Sequence, residues 1–103
     1  MYEIKFLNNA IQDIYAIFNY ISYYLNNKSA VMKLLDEFEK EINNIKLFPY
    51  SIDIYMSDKK FENTYRIAKF GNYNIFYYID EDKLCVTIVR VLHKKRNKDY
   101  FLN

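Results

Sequence analysis

The hydrophobic period of this chain changes three times, and each change marks an element. Tyr2, Ile4 and Phe6 alternate with Glu3 and Lys5, the period of two that puts one face of a strand on a core. From Ala10 the apolar positions become Ala10, Ile14, Ile17, Phe18, Ile21 and Leu25, a three-and-four spacing that makes one helical stripe. Asn9 with Gln12 three residues on has the form of a capping box for that helix. Asn26-Asn27-Lys28-Ser29 breaks the pattern, and Ser29 is read as the cap of a second helix with the stripe Val31, Leu34, Leu35, Phe38, Ile42 and Ile45. Pro49, the only proline, ends it. A short strand is predicted at Ile52 to Tyr55, followed by a loop through Asp58-Lys59-Lys60. From Tyr65 the period of two returns, with Tyr65 and Ile67 on one face and Arg66, Ala68 and Phe70 on the other. Gly71, the only glycine, is followed by Asn72, a pair that suits a tight hairpin because both residues tolerate positive φ. Tyr73 to Ile79 form the next strand, Asp80 to Lys83 turn the chain, and Leu84 to Leu92 form the last. The cluster Tyr73, Tyr77 and Tyr78 divides between the two faces, so part of it is core. The order predicts an α+β fold, β-α-α-β-β-β, an antiparallel sheet with two N-terminal helices packed on one face.

Length places residues 1–103 in a single domain, with half of the residues hydrophobic and 19% aromatic. Cys85 stands alone, which excludes an internal disulfide, and its apolar strand context reads as a buried structural thiol in a reducing compartment. One His and one Cys make no metal site, and no cofactor is expected. The N-terminus lacks a charged start followed by an apolar signal core, and no stretch reaches the length of about 18 to 20 apolar residues that spans a bilayer. These features place the protein in the cytoplasm, with no membrane partner.

Charge is distributed unevenly. Residues 83 to 103 hold six Lys/Arg and one acid, a net of +5 in a chain of net charge +2, so the first 82 residues carry −3. A cationic end on a mildly acidic body implies an anionic partner. Its centre is Arg90-Val91-Leu92-His93-Lys94-Lys95-Arg96, which follows directly from the last strand. All three arginines, Arg66, Arg90 and Arg96, lie in the last third of a chain with twelve lysines, and a guanidinium suits phosphate better than an ammonium does.

Two phrases in this order on this architecture, Asp13-Ile14-x-x-Ile17-x-x-Tyr20-Ile21 in the first helix and Val89-Arg90-Val91-Leu92-His93-x-x-Arg96 after the last strand, carry a resemblance. With the Pro-ended second helix, Tyr65-Arg66 and Tyr73 to Asp80, the chain resembles the RelE/ParE toxins of bacterial type II toxin-antitoxin systems over essentially its whole length. The resemblance implies a growth-arresting toxin neutralised by a cognate antitoxin, whose acidic or amphipathic segment folds over the helices and the basic groove. RelE-like members are implied to cut ribosome-bound mRNA on the concave sheet face, and ParE-like members to poison DNA gyrase without chemistry of their own. For cleavage, Arg66, Arg90 and Arg96 are the candidate cations, His93 the acid or base and Tyr100 the stacking or proton-delivering group. Lys69, Lys94, Lys95 and Lys98 are candidate nucleic-acid or target-binding residues. Two positions depart from the RelE-like pattern, with Ala68 and Asn74 standing where basic residues are implied. The Leu92-His93-x-x-Arg96 ending is nearer the ParE-like pattern, which favours gyrase. An inactive antitoxin-binding module is the remaining alternative.

Overall fold

The structure is a computed structural model and describes residues 1–102. Strand β1 (Glu3–Phe6) leads into helix α1 (Asn8–Tyr20), which continues as a single π-helical turn over Ile21–Leu25. Helix α2 (Lys28–Leu47) and a short 3-10 turn at Pro49–Ser51 follow. Strands β2 (Arg66–Phe70), β3 (Tyr73–Asp80) and β4 (Cys85–His93) form a meander, and a one-turn helix α3 (Lys98–Phe101) closes the chain.

The sheet order is β1-β4-β3-β2. The meander is antiparallel as expected, but β1 runs parallel to β4, with Glu3 opposite Cys85 and Phe6 opposite Ile88, so the sheet is mixed. Period-two alternation reports which face a side chain takes and carries no information on strand direction. The parallel pairing is reached through a long crossover, here the helical hairpin and two strands.

Local signals are met with small shifts. Helix α1 starts at Asn8 behind Leu7, whose N–H is still bonded to the Ile88 carbonyl as the chain leaves the sheet and whose side chain has no acceptor to form a cap. The Asn9 and Gln12 box is therefore not formed. Helix α2 is capped by Asn27, whose Oδ1 accepts from the Ala30 N–H at 3.1 Å, and not by Ser29. The expected strand at 52–55 reduces to one bridge between Ile54 and Arg66 on the outer edge of β2. In the hairpin only Gly71 has positive φ (+53°), the sign pattern of a type II′ turn. The positive φ is what favours glycine there; a Cβ would lie 2.8 Å from Leu34 Cδ1, and the end of that side chain would have to shift. Cys85 is half-buried at the first position of β4.

Strand β4 carries a bulge. Tyr77 pairs with Ile88 and Phe76 with Arg90, leaving Val89 as the extra residue. Bulges bend a strand and re-aim its side chains. Here Ile88, Val91 and His93 point to the helices, while Val89 and Leu92 point to the far face.

Both sheet faces are covered. On the helix side Ala10 and Ile45 close over Phe70, Ile75, Tyr77 and Ile88, with Tyr73 at the margin. On the far face Tyr65, Phe76, Val89 and Leu92 pack with Leu102, and Tyr55, Phe61, Tyr78 and Phe101 pack around them. The aromatic triad of β3 thus divides, Tyr73 and Tyr77 toward the helices and Tyr78 away. The far face is filled by the 53–64 loop and by α3.

Candidate functional site

Arg66 starts β2 with its guanidinium turned back onto the loop before it. Nη1 donates to the Ile52 carbonyl at 2.6 Å and to the Tyr50 carbonyl at 3.3 Å, and the charge lies 5.2 Å from the centre of the Tyr50 ring. Tyr50 is held in turn by Glu81, whose carboxylate accepts from the hydroxyls of both Tyr50 and Tyr2 at 2.8 Å. That bond, followed by burial and the Glu81 charge, raises the ionisation of each tyrosine. Arg66 is thereby part of a tether joining the 50–52 segment to the sheet.

Arg90 is committed more fully. Its Nε and Nη2 donate to Asp13 Oδ2 and Oδ1 at 2.7 and 2.8 Å, a two-pronged pair with 18% and 14% of the side chains exposed. The geometry follows from the sheet. Strand β1 covers β4 only as far as Ile88, and the Val91 N–H beyond it would face the edge without a partner. Asp13, in the second turn of α1, accepts that N–H at 2.9 Å with the oxygen that also holds Arg90 Nε. One carboxylate thus replaces a missing strand and fixes a guanidinium, and its hydrogen bond holds Arg90 more firmly protonated than usual against the opposing effect of burial.

Arg96 is exposed in the turn after β4, and its guanidinium meets no carboxylate among the described residues. It lies 4.5 Å from the centre of the Phe101 ring, and Arg90 lies 4.7 Å from the same ring, so two cations share one aromatic side chain. Next to it, Asp99 accepts from the Tyr55 hydroxyl at 2.6 Å and the Ser57 hydroxyl at 2.8 Å. Lys59 Nζ donates to the carbonyls of Asp99 and Leu102. These contacts latch α3 to the 53–64 loop over the far face. The Tyr55 and Ser57 hydrogen bonds hold the Asp99 carboxyl below its usual range. Burial first, then the bond to Asp99, raises Tyr55 to about 12. Tyr100, on the outer side of α3, is exposed.

His93 takes the opposite face. Its ring meets Tyr73 edge-on at 5.4 Å, and its Nδ1 accepts from the Lys95 N–H at 3.2 Å. Arg66 is paired with Tyr77 and His93 with Tyr73, on the two strands flanking β3. Four residues along and two strand spacings across separate them by about 16 Å, far beyond the reach of one proton transfer. The five residues expected for catalysis therefore occupy three places: Arg66 at one end of the edge strand, Arg90 with Arg96 and Tyr100 around α3, and His93 on the helix side. Ala68 and Asn74, at the positions implied for further cations, are both buried, Asn74 with 2% of its surface exposed.

The structure does bring exposed cations together at one end of the sheet. The Lys94 N–H donates to the Asn72 carbonyl at 2.8 Å, which sets the hairpin tip of β2 and β3 beside the turn after β4. Lys69, Lys94, Lys95 and Arg96 are exposed around this junction, and Lys98 is half-buried on α3. Sequence reading missed Asp13, Asp99, Tyr55 and Glu81. Asp13 belongs to a recognisable phrase, but its partners lie 77 and 78 residues away, and no local pattern announces that contact. Among the described residues no group of three His, Cys, Asp or Glu side chains is placed to hold a metal ion, and no helix is long and apolar enough to cross a membrane.

Comparison with known proteins agrees with this architecture. The chromosomal ParDE toxin-antitoxin system of P. aeruginosa contains a chain superposing with a TM-score of 0.68 at 13% identity, covering 90% of this chain and 96% of that one. The RelBE2 toxin-antitoxin complex of Mycobacterium tuberculosis gives 0.59 at 19% identity, covering 89% and 96%. The isolated RelE toxin of E. coli gives 0.59 at 12% identity, covering 97% and 92%. At these identities the likeness is one of fold. No curated protein sequence matches the chain significantly. The family described as the ParE toxin of type II toxin-antitoxin systems, parDE, matches residues 4–98. That span is nearly the whole sequence, and the chain belongs to this toxin family.

Proposed function

We propose that this toxin arrests bacterial growth by binding DNA gyrase in the cytoplasm, without cleaving RNA itself, and that a cognate antitoxin neutralises it. The observation that supports this reading is the commitment of two of its three arginines, Arg66 and Arg90. Metal-free RNA cleavage needs cations and an acid or base converging within hydrogen-bond reach of one phosphate and its 2′-hydroxyl. Here Arg66 serves a loop, Arg90 serves Asp13, and His93 lies across the sheet from Arg96. What remains outward is a binding surface, the junction of Lys69, Lys94, Lys95 and Arg96 with Tyr100 beside it. Poisoning an enzyme by contact requires such a surface and no proton transfer.

Antitoxin binding has a separate place. A groove of about 200 Å³ between β1, α1 and α2 is lined by Phe6, Ile11, Ile14, Tyr15 and Phe38. It suits the apolar face of an amphipathic helix, and two of the structural relatives named above are described as toxin-antitoxin systems or complexes. The direct test maps 5′ ends of mRNA in a purified translation reaction with the protein added. The expected result is intact message at concentrations that stop growth on expression. New ribosome-dependent ends, weakened by Arg96→Ala, would instead assign an endoribonuclease. Intact message together with harmless expression would leave an inactive antitoxin-binding module.

A further inference from the structure

The tip of the helical hairpin is unlike the rest of the surface. Where α1 passes into the π-helical turn, Tyr20, Tyr23 and Tyr24 are 55%, 79% and 68% exposed. A π turn carries one more residue per turn than an α-helix and is frequently found at functional sites. The Tyr20 and Tyr24 rings are 4.9 Å apart and tilted by 34°, and Tyr23 meets Tyr24 edge-on at 5.0 Å. The three rings therefore order one another while their outer faces stay open. Asn26 in the left-handed conformation and the Asn27 cap fix the turn beneath them.

Along the chain the charge at this tip has one sign, and Lys28 lies beside Ser22 and Asn26. No acid occurs between Asp13 and Asp36, whereas Lys28 and Lys33 lie within that stretch. Tyr73 joins the tip to the basic junction: its ionisation is raised first by burial and then by the nearby Tyr20 hydroxyl, and its ring touches His93, which precedes Lys94 and Lys95.

We propose that Tyr20, Tyr23 and Tyr24, with the surrounding lysines, form a stacking platform for single-stranded nucleic acid. Open aromatic faces beside cations are what unpaired bases and their phosphates require, and such stacking tolerates any sequence. A duplex hides its base faces and gains nothing from the rings. An antitoxin helix would favour an apolar groove, and that groove lies elsewhere, at Phe6, Ile11 and Phe38. The inference stands apart from the choice of toxin target.

The test is fluorescence anisotropy of a labelled oligo(dT) 12-mer with the full-length protein over a salt series. The platform predicts that the duplex of the same length binds at least tenfold more weakly. It also predicts a log–log salt slope of about −2 to −3 for three or four lysine contacts. The double substitution Tyr23→Ser with Tyr24→Ser lowers affinity at least tenfold without changing that slope, and Tyr23→Phe with Tyr24→Phe keeps it. Unchanged affinity in the serine variant, or equal binding of the duplex, would overturn the proposal. So would binding to phosphatidylglycerol vesicles with none to the oligonucleotide, which would assign the tip to a membrane surface.

Discussion

Removing the Asp13 carboxylate tests most sharply whether Arg90 is structural. Asp13→Ala leaves a guanidinium with 18% exposure without its counter-charge and the Val91 N–H without its acceptor. Breaking a buried pair from one side costs about 3 to 5 kcal/mol, and an orphaned backbone donor about 1 to 3. The pair retains some solvent contact, so about 3 kcal/mol is the expected loss. For a domain of about 100 residues that lowers Tm by roughly 12 to 15 °C. Asp13→Asn keeps an acceptor for Val91 and loses only the charge, with an expected cost of about 1 to 2 kcal/mol. Replacing both partners, Asp13→Ala with Arg90→Met, removes the stranded cation, and the double-mutant cycle gives a coupling of about 1.5 to 3 kcal/mol. Urea denaturation followed by circular dichroism measures the parent, Asp13→Ala, Arg90→Met, the double variant and Asp13→Asn. A coupling below about 0.5 kcal/mol, or an Asp13→Ala variant as stable as its parent, would contradict a structural role for Arg90 and leave it a free cation.

Arg66→Met unties the 50–52 segment and is expected to cost about 1 to 2 kcal/mol, with protease sensitivity rising in that segment; an unchanged digestion pattern speaks against the tether. Because Tyr55 is raised to about 12 from its usual value near 10, its contribution to stability is complete below about pH 10 and is lost as pH rises through 12. The lowered Asp99 carboxyl contributes above about pH 4, and its contribution is lost as pH falls through its lowered folded value. Tyrosinate absorbance in the parent and in Tyr55→Phe tests the alkaline limb, where the variant should lack a late-titrating tyrosine. Gly71→Ala meets both a positive φ and Leu34, at an expected cost of about 2 kcal/mol. Leu84, exposed with φ at +49°, carries the opposite expectation, and Leu84→Gly should gain about 0.5 kcal/mol in denaturant titration.

Element type was legible in the sequence wherever a face repeats. The stripe from Ala10 to Ile21, the stripe from Val31 to Ile45 and the alternation after Tyr65 all report burial on one side, and burial has a period. The caps were less legible because Asn26, Asn27 and Ser29 are all competent cap residues within one turn, and only the extended backbone of Asn27 and its bond to the Ala30 N–H decide between them. The closure of the far face was not legible at all. Tyr55, Phe61, Phe101 and Leu102 are wholly or partly buried one at a time from a loop and from the end of a single helical turn, and isolated apolar residues in such segments look the same whether they cover a sheet or face water.

The candidate site was legible as composition and not as geometry. A string of cations after a strand is visible in the sequence. Whether each one faces a phosphate or a carboxylate from another element depends on contacts up to 77 residues apart. The bulge at Val89 adds to this, since it breaks the alternation that would otherwise assign faces along β4. His93 and Arg90 are three residues apart in the chain and look like one cluster, yet they point to opposite sides of the sheet.

Gyrase poisoning is read out by supercoiling of relaxed plasmid by purified DNA gyrase, with the toxin titrated in before ATP. The expected result is loss of supercoiling or accumulation of cleaved plasmid as the toxin is added, reversal by prior addition of the cognate antitoxin, and attenuation when Lys94, Lys95 and Arg96 are changed together to Ala. Full supercoiling activity at a large excess of a preparation that arrests growth on expression would contradict gyrase poisoning and move the target away from gyrase.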